Sequence, residues 1–343
     1  MIQVFNIEQF ELWDKIVRSF KKYDVFWLSG YVKSFLIHGD GEPLLFYYES
    51  VHLRGINVVM KRDVANDRKF INKIEKEKYF DFATPYGYGG WIIEGNNVEN
   101  LFEEYEEWII KNDIISEFVR FHPVIKNHLE SEKFYEVKPL GEVVCMDISS
   151  PDLIWNNISS KNRNVIRKSI KNGVRIFNGR FPGIYDKFRN IYNKTMERDN
   201  ANEYYYFSKA FYQSILSDME QNAQIFYAEK DEVIISASII LAANGMLNYY
   251  LSGSIKEYSN LAATNLLLYK VALWGNANGY KSFYLGGGVG SEEDGLFKFK
   301  RAFYKGELSR FYIGKKIYNQ EKYDKLTNMR ENNENEYFPQ YRA

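Results

Sequence analysis

Residues 260–290 read NLAATNLLLYKVALWGNANGYKSFYLGGGVG, and this stretch predicts a helix, a short strand and a glycine-rich loop. Apolar residues recur at helical spacing over residues 260–275, which favours one long helix. Asn278-Gly279 is a helix stop signal, and residues 282–285 then have the composition of a strand. Four glycines within residues 286–290 let a ligand approach the backbone, but the absence of Gly-Lys-Ser/Thr excludes a phosphate-binding P-loop.

The order of elements around this stretch occurs twice along the chain. Each half is predicted to contain strand, turn, strand, helix and short strand. In the first half the two strands, the helix and the short strand are residues 44–48, 56–60, 98–111 and 118–121. In the second half they are residues 223–228, 233–241, 260–275 and 282–285, with a third strand at 248–251 before the helix. The likeness lies in pattern and not in identity, so chance similarity of two mixed α/β segments is the open alternative.

A breaker at Lys138-Pro139-Leu140-Gly141 separates the two halves. We therefore expect an α/β (α+β) chain with one domain at 1–140 and a second at 141–320. Residues 321–343 are rich in Asn, Glu, Lys and Arg and are predicted to form a polar tail.

Composition excludes several classes of protein. The 343 residues carry 45 Lys plus Arg and 45 Asp plus Glu, which argues against binding by broad neutralisation of phosphates, as in DNA-binding proteins. The single Cys145 rules out an intramolecular disulfide, and the four histidines show no metal-ligand spacing, so no metal is expected. Residues 1–20 do not have the pattern of a signal peptide, and no apolar run is long enough to span a membrane, so we expect a cytoplasmic protein.

A basic helix is predicted over residues 161–173. Arg163, Arg167 and Lys171 recur every four residues and share one face, where a phosphate or carboxylate of a substrate would offset their repulsion. A solvated face that binds nothing is the equally weighted alternative.

Two further segments are candidates for a site. Ser252-Gly253-Ser254 ends a strand after Tyr250, and Ser259 or Asn260 then caps a helix whose backbone N–H groups suit a phosphate or an oxyanion. An ordinary strand-to-helix connection is the alternative. At residues 295–303, lysines alternate with Phe297, Phe299 and Phe303, and a partly desolvated lysine there would stabilise negative charge on a transferred group. An edge segment with solvated lysines is the alternative.

The order of these motifs resembles that of the Fem-type (FemAB-like) aminoacyltransferases and the related GNAT-like acyltransferases of surface-polysaccharide loci. The resemblance covers about residues 20–310. Its motifs lie at 79–90, 161–173, 195–198, 205–207, 248–254, 262–265 and 286–303.

This resemblance implies two tandem GNAT (acetyltransferase)-like domains, each with a mixed, mostly antiparallel sheet flanked by helices. It implies transfer of an acyl or aminoacyl group to an amine by direct attack. Phe299-Lys300 matches the Phe-Lys pair of Fem-type enzymes. The resemblance also implies basic residues that bind the phosphates of a nucleotide-linked or lipid-linked sugar, and Arg163 and Arg167 are the candidates for this role. The helix start at 257–263 lacks the glycines of acetyl-CoA enzymes, which favours aminoacyl-tRNA, whereas the neutral charge argues against tRNA.

The resulting hypothesis is an acyltransferase in cell-envelope or polysaccharide biosynthesis that modifies a small-molecule, lipid-linked or nucleotide-linked sugar. Acyl-CoA or aminoacyl-tRNA is its co-substrate, and no tightly bound cofactor is expected. The residues assigned to it are catalytic Lys300, Phe299 and Asp294 (with Glu293 as a second candidate base), substrate-binding Arg163, Arg167, Lys171, Arg198, Tyr206, Tyr88 and Tyr250, and donor-binding Ser252, Gly253, Ser254, Asn260, Gly286, Gly287 and Gly288. The alternative is a catalytically inactive protein that binds an anionic glycan or nucleotide sugar.

Overall fold

The structure, a computed structural model, describes residues 1–330 and 337–343. The strands of this part of the chain are β1 (Ile2–Asn6), β2 (Glu42–Glu49), β3 (Leu53–Asp63), β4 (Phe80–Ala83), β5 (Ile92–Gly95), β6 (Ile114–Phe121), β7 (Glu136–Asp147), β8 (Arg175–Gly179), β9 (Ala223–Lys230), β10 (Val233–Ala243), β11 (Met246–Ser254), β12 (Ser282–Gly286) and β13 (Ser309–Ile317). Its α-helices are α1 (Phe10–Arg18), α2 (Ser29–His38), α3 (Glu99–Lys111), α4 (Pro151–Asn157), α5 (Ser160–Lys171), α6 (Pro182–Arg198), α7 (Lys209–Asp218), α8 (Ala263–Ala277), α9 (Gly295–Arg301) and α10 (Gln320–Asn328).

The chain forms two compact units. Unit 1 consists of residues 1–140 and 311–343, and unit 2 consists of residues 141–310. In unit 1 the strand order is β1-β2-β3-β4-β6-β13, and β5 also pairs with β3. Among the described strands of this unit, β4 and β6 pair in parallel, and the others named here pair antiparallel. Helix α3 packs its apolar stripe on this sheet because Leu101, Phe102, Tyr105 and Ile109 recur at helical spacing.

Unit 2 has the strand order β7-β12-β11-β10-β9-β8, in which only β11 and β12 run parallel. Helix α8 connects this parallel pair, and its buried residues are apolar on more than one face, as expected of a helix enclosed by its neighbours. The predicted helix at 260–275 is therefore present as α8, after a 3-10 segment at Lys256–Leu261. Each unit has a mixed, mostly antiparallel sheet with flanking helices, so the predicted fold class is confirmed.

Residues 311–343 differ from the sequence expectation, which placed 311–320 in the second domain and 321–343 in a polar tail. Strand β13 pairs with β6, and Tyr323, Leu326 and Tyr341 are buried in unit 1. The composition of this segment did not reveal these buried residues, because Asn, Glu, Lys and Arg are more numerous in it than apolar residues. Residues 331–336 of the predicted tail lie outside the described residues.

A buried ionic cluster holds the C-terminal residues in unit 1. Asp81 is fully buried and accepts hydrogen bonds from Arg62 Nε at 2.7 Å, Tyr341 Oη at 2.8 Å and Arg342 Nε at 2.6 Å. Burial alone would raise the pKa of Asp81, but the charges of Arg342 and Arg62 outweigh it and hold that pKa below its usual range.

Candidate active site

Strands β11 and β12 start as a parallel pair and then separate. Their pairing covers three residues of each strand, ending at Asn248 and Tyr284 in the described chain. Beyond this point β11 stays paired with β10 as far as Ser254, and β12 pairs with β7, where Gly286 lies opposite Val144. A crevice at the carboxyl ends of adjacent parallel strands is the usual ligand site of an α/β sheet.

Both strands bend at this opening. Ile239 lies opposite Leu251 and Ile240 opposite Tyr249, so Tyr250 is the additional residue of a bulge in β11. In β12, Leu285 is the additional residue opposite β7. Bulges re-aim side chains and are common beside active sites. The predicted substrate-binding Tyr250 therefore lies at the bend that opens the sheet.

Lys300 lies at the carboxyl end of β12. It belongs to α9, it is 9% exposed, and its Nζ donates a 2.6 Å hydrogen bond to the backbone oxygen of Gly287. Burial lowers the pKa of Lys300 to about 8, and the nearby Asp294 carboxylate opposes this shift. A pKa near 8 leaves the ammonium mostly protonated at pH 7, so it can stabilise developing negative charge. Phe299, half-buried beside it, packs edge-on against Phe303 at 5.4 Å.

The glycine run closes tightly on this lysine. Gly286 has φ +84°, and a Cβ at this position would lie 3.3 Å from Lys300 Nζ. A Cβ on Gly288 would lie 2.0 Å from the Glu292 backbone oxygen and would also collide with the Asp294 carboxylate. Gly286 and Gly288 are therefore required for the loop to approach α9, and Gly287 supplies the carbonyl that holds Lys300.

Asp294 has a structural role, and this corrects its assignment as a catalytic base. It is the N-cap of α9 and accepts hydrogen bonds from the backbone N–H groups of Phe297 at 2.8 Å and Val289 at 3.2 Å. The bond from Phe297 lowers the pKa of Asp294. A carboxylate that is stabilised in its charged form is a weak base. Glu293 is exposed.

The end of β11 packs against α6. The Ser254 N–H donates to Thr195 Oγ1 at 3.0 Å, and Arg198 Nη1 donates to the Ser254 carbonyl at 3.1 Å. Ser252 Oγ lies 2.9 Å from Ser238 Oγ, and the Tyr249 hydroxyl bonds to both. Arg198 thus lies at the end of β11, and its role in substrate binding stays a prediction. The Ser254 N–H, however, is already bonded within the protein, which removes it as an oxyanion donor.

Gly253 is required for the contact between β11 and α6. A Cβ at this position would lie 2.9 Å from the backbone N and Cα of Tyr192, which cannot move without shifting α6. We expect Gly253→Ala to lower the free energy of unfolding by about 1–3 kcal/mol in urea titrations, because overpacking displaces a helix. Gly183→Ala on the same helix is the control, since its Cβ would meet atoms only at 3.7 Å. Equal stability of the two variants would contradict this role for Gly253.

Two of the three cationic residues predicted to share one side of α5 pack against a tryptophan. The guanidinium carbons of Arg163 and Arg167 lie 5.9 and 5.1 Å from the centroid of the Trp155 ring. These are cation–π distances, so one indole on α4 holds both side chains. Lys171 is exposed in the last turn of α5, where a positive charge stabilises the helix dipole. That placement explains Lys171 without a substrate.

The remaining predicted residues are dispersed. Tyr206 follows a short 3-10 turn after α6 and is half-buried. Asn260 is exposed in the 3-10 segment before α8. Tyr88 belongs to unit 1, where it is buried against Phe26 and Phe311. Two groups of the predicted residues are therefore each brought together. The group at the end of β12 consists of Lys300, Phe299, Asp294 and the glycine run. The group at the end of β11 consists of Arg198 and residues 252–254.

Sequence reasoning missed several residues that position this site. Asn162 is buried on α5, receives a 2.8 Å hydrogen bond from Asn265 of α8, and donates at 3.3 Å to the Ala302 carbonyl after α9. It joins the three helices that surround the crevice. Tyr284 is buried beside Gly286, and Thr195 holds Ser254. A lone Asn in a basic run gives no sequence signal of such a role.

Within residues 1–330 and 337–343, no group of three or more His, Cys, Asp or Glu residues is arranged to hold a metal ion. No helix there combines the length and the apolar character needed to cross a bilayer.

Residues 160–301 match the family described as an acetyltransferase (GNAT) domain. The match includes α5, the β11–α8–β12 crevice and Lys300, all of which belong to unit 2, so the predicted resemblance to GNAT-like acyltransferases is confirmed. No curated protein matches the sequence.

The fold of the chain is similar to that of FemX, with 14% identity over 94% of this chain and 99% of FemX, at a TM-score of 0.69. A conserved protein of unknown function from Bacteroides thetaiotaomicron is 11% identical over 92% of this chain and 100% of its own, with a TM-score of 0.60. The C-terminal domain of a candidate lysylphosphatidylglycerol synthetase from Agrobacterium fabrum is 14% identical over 92% of both chains, with a TM-score of 0.56. At these identities the similarity establishes the fold that the chain shares with Fem-type proteins.

Proposed function

We propose that the protein is an N-acyltransferase that transfers an acyl or aminoacyl group to an amine of a cell-envelope precursor, an amino sugar or a peptidoglycan-type peptide. The observation that carries this proposal is the buried Lys300 ammonium beside the glycine loop, at the point where β11 and β12 separate. The donor carbonyl enters this crevice, and Lys300 stabilises the oxyanion that forms on it.

The reaction is a direct substitution at the donor carbonyl. The acceptor nitrogen attacks the carbonyl carbon, a C–N bond forms, and the C–S bond of a thioester or the C–O bond of an aminoacyl ester breaks. The nitrogen loses its proton to water, and the leaving thiolate or alkoxide gains one. Lys300 supplies positive charge without forming a covalent bond. The Asp294 carboxylate remains on the α9 backbone throughout.

The start of α8 supports a donor with phosphate groups. Ala262, which precedes α8, has a left-handed backbone with φ 50°, and no side chain in the described chain caps the helix. The first N–H groups of a helix attract phosphate. Both acyl-CoA and the end of an aminoacyl-tRNA carry phosphate, so this feature suits either donor. We assign contact with an anionic acceptor to Arg198, and its hydrogen bond to the Ser254 carbonyl at the end of β11 supports this assignment.

A donor screen tests this proposal. The protein is incubated with labelled acyl-CoA esters or with charged tRNA, each with nucleotide-linked amino sugars and peptidoglycan-precursor peptides, and products are identified by mass. We expect one donor class to give an amide product. Binding of an anionic glycan or nucleotide sugar, with no product from either donor class, would contradict the proposal and support an inactive binding protein.

A further inference from the structure

Residues 153–185 contain no Asp or Glu, although positive and negative residues balance in the whole chain. This segment includes α4, α5, β8 and the start of α6. Its cationic residues are Lys161, Arg163, Arg167, Lys168, Lys171, Arg175 and Arg180. One-sided charge of this kind creates a local positive potential on a neutral protein.

Large apolar side chains are exposed among these cations. Ile170 at the end of α5 is 50% exposed, Phe177 on β8 is 37% exposed, and Phe181 is 51% exposed. The Arg175 guanidinium lies over the Phe177 ring at 5.4 Å. Cationic and apolar groups therefore share one surface.

A groove of about 440 Å³ connects these groups. It is lined by Ile170 of α5, Arg175 and Phe177 of β8, and Lys270 of α8. Its apolar lining also includes Val174, Ile176, Phe226, Leu266 and Trp274. We call the surface formed by Ile170, Arg175, Phe177 and Lys270, together with the exposed Lys171 that directly follows Ile170 in the chain, the basic face. It is formed by α5, α8 and β8, whereas Lys300 belongs to α9.

We propose that the basic face docks on the surface of an anionic lipid bilayer. Lys171 and Lys270 would contact headgroup phosphates, while Ile170 and Phe177 would enter the boundary between headgroups and acyl chains. Bilayer-surface binding requires this combination, because apolar burial and electrostatic attraction each contribute a part of the affinity. An RNA surface would instead be expected to combine cations with stacking aromatics and would gain nothing from an exposed isoleucine.

The acidic residues near the basic face leave its charge positive. Glu229 on β9 pairs with Arg175 at 2.8 Å, and Asp231 in the following turn pairs with Lys230 at 2.9 Å. Neither ion pair involves Lys171 or Lys270. Arg180 is directed inward, where it donates to backbone carbonyls that include Met219 at 2.9 Å, so it is not assigned to the basic face.

Vesicle sedimentation with the full chain tests the proposal. The vesicles contain equal parts of phosphatidylglycerol and phosphatidylcholine, or phosphatidylcholine alone, at about 0.1 M salt, where the Debye length is about 10 Å. We expect binding to the anionic vesicles only, and a loss of at least about tenfold in the partition coefficient for Ile170→Glu.

Ile110→Glu is the matched control. Ile110-Lys111 ends α3 and Ile170-Lys171 ends α5, and each pair is followed by an Asn that terminates the helix. Ile110 is 63% exposed, but α3 carries Glu103, Glu104, Glu106 and Glu107, so its surroundings are acidic. Ile110→Glu should bind the vesicles as the unchanged protein does.

Three outcomes would overturn the proposal. The first is no binding to anionic vesicles by the unchanged protein, and the second is equal binding by Ile170→Glu and Ile110→Glu. Salt-sensitive binding of tRNA, in place of vesicles, would also overturn it and assign the cations to nucleic acid. None of these measurements requires group transfer, so failure here is distinguishable from failure of the proposed activity.

Discussion

Lys300→Met is expected to lower kcat by about 100- to 1,000-fold, the usual effect of removing one preorganised group that stabilises an oxyanion. The side chain of Met is similar in length but has no charge, so the carbonyl oxygen of the donor would lose the nearby ammonium. The measurement is steady-state transfer with the donor and acceptor that the screen identifies. KM for the acceptor should change much less than kcat, since Lys300 acts on the donor carbonyl.

Lys298→Met is the matched control for this variant. Lys298 is on the same helix α9, two residues earlier, but it is exposed. Its replacement should leave kcat within about twofold, as expected for a surface position away from the chemistry. Comparable losses in Lys298→Met and Lys300→Met would show that the charge of α9, and not the buried ammonium, governs the rate.

The pH dependence separates a catalytic role of Lys300 from a structural one. Since burial lowers the pKa of Lys300 to about 8, transfer by the unchanged protein should fall as pH rises through 8 and the ammonium is lost. Lys300→Arg keeps its charge at high pH. That variant should be slower but should lose this alkaline decline. An unchanged decline in Lys300→Arg would contradict the assignment.

Stability should depend on pH in the opposite sense to the transfer rate: it should rise, and not fall, as Lys300 loses its proton. The pKa of Lys300 is about 8 in the folded protein, whereas a lysine that is not buried has a pKa of 10.5. Between these two pH values the unfolded chain therefore binds more protons than the folded protein does. Stability therefore rises with pH across this window, by up to about 3 kcal/mol. Lys300→Met should remove this slope in urea titrations at pH 7 to 10.

Asp81→Asn is expected to lower the free energy of unfolding by about 3–5 kcal/mol, because it removes the fully buried carboxylate that pairs with Arg62 and Arg342 and leaves Arg342 with the longer contact to Asp67 at 3.3 Å. The effect should appear in unit 1, whose C-terminal residues are held by Asp81. Urea denaturation followed by tyrosine and tryptophan fluorescence measures it. The amide matches the carboxylate in size, so a cavity is not the cause of the loss.

Asp113→Asn is the control for this charge removal. Asp113 pairs with Lys322 of α10 on the surface, with 55% and 31% of the two side chains exposed, and surface pairs contribute at most about 1 kcal/mol. The pKa of Asp81 lies below its unfolded value, so the stability it provides is present above that unfolded value. It is lost as pH falls through the folded pKa. Asp81→Asn should reduce this loss of stability at acid pH. An unchanged loss in that variant would contradict the role of Asp81.

The predicted succession of helix, strand and glycine loop at 260–290 is present in the structure because its signals are local. Helical spacing, the Asn278-Gly279 stop and the glycines act within a few residues of one another. The strand–strand–helix–strand repeat likewise rests on local patterns.

The features that sequence reasoning missed depend on contacts between distant segments. Asn162 bonds to residues more than one hundred positions away, and Tyr341 reaches Asp81 across most of the chain. The Trp155 ring that holds Arg163 and Arg167 could not be recognised from the spacing of the arginines. Asp294 was assigned as a base because its type fits, whereas its function as a helix cap depends on the fold.

The most direct test of the central claim is single-turnover transfer from labelled donor to acceptor amine, compared between the unchanged protein and Lys300→Met. The unchanged protein should form the amide product, and Lys300→Met should bind the same donor and acceptor yet form it at least about 100-fold more slowly. Equal rates in the two proteins would contradict the assignment of the active site to Lys300 at the end of β12.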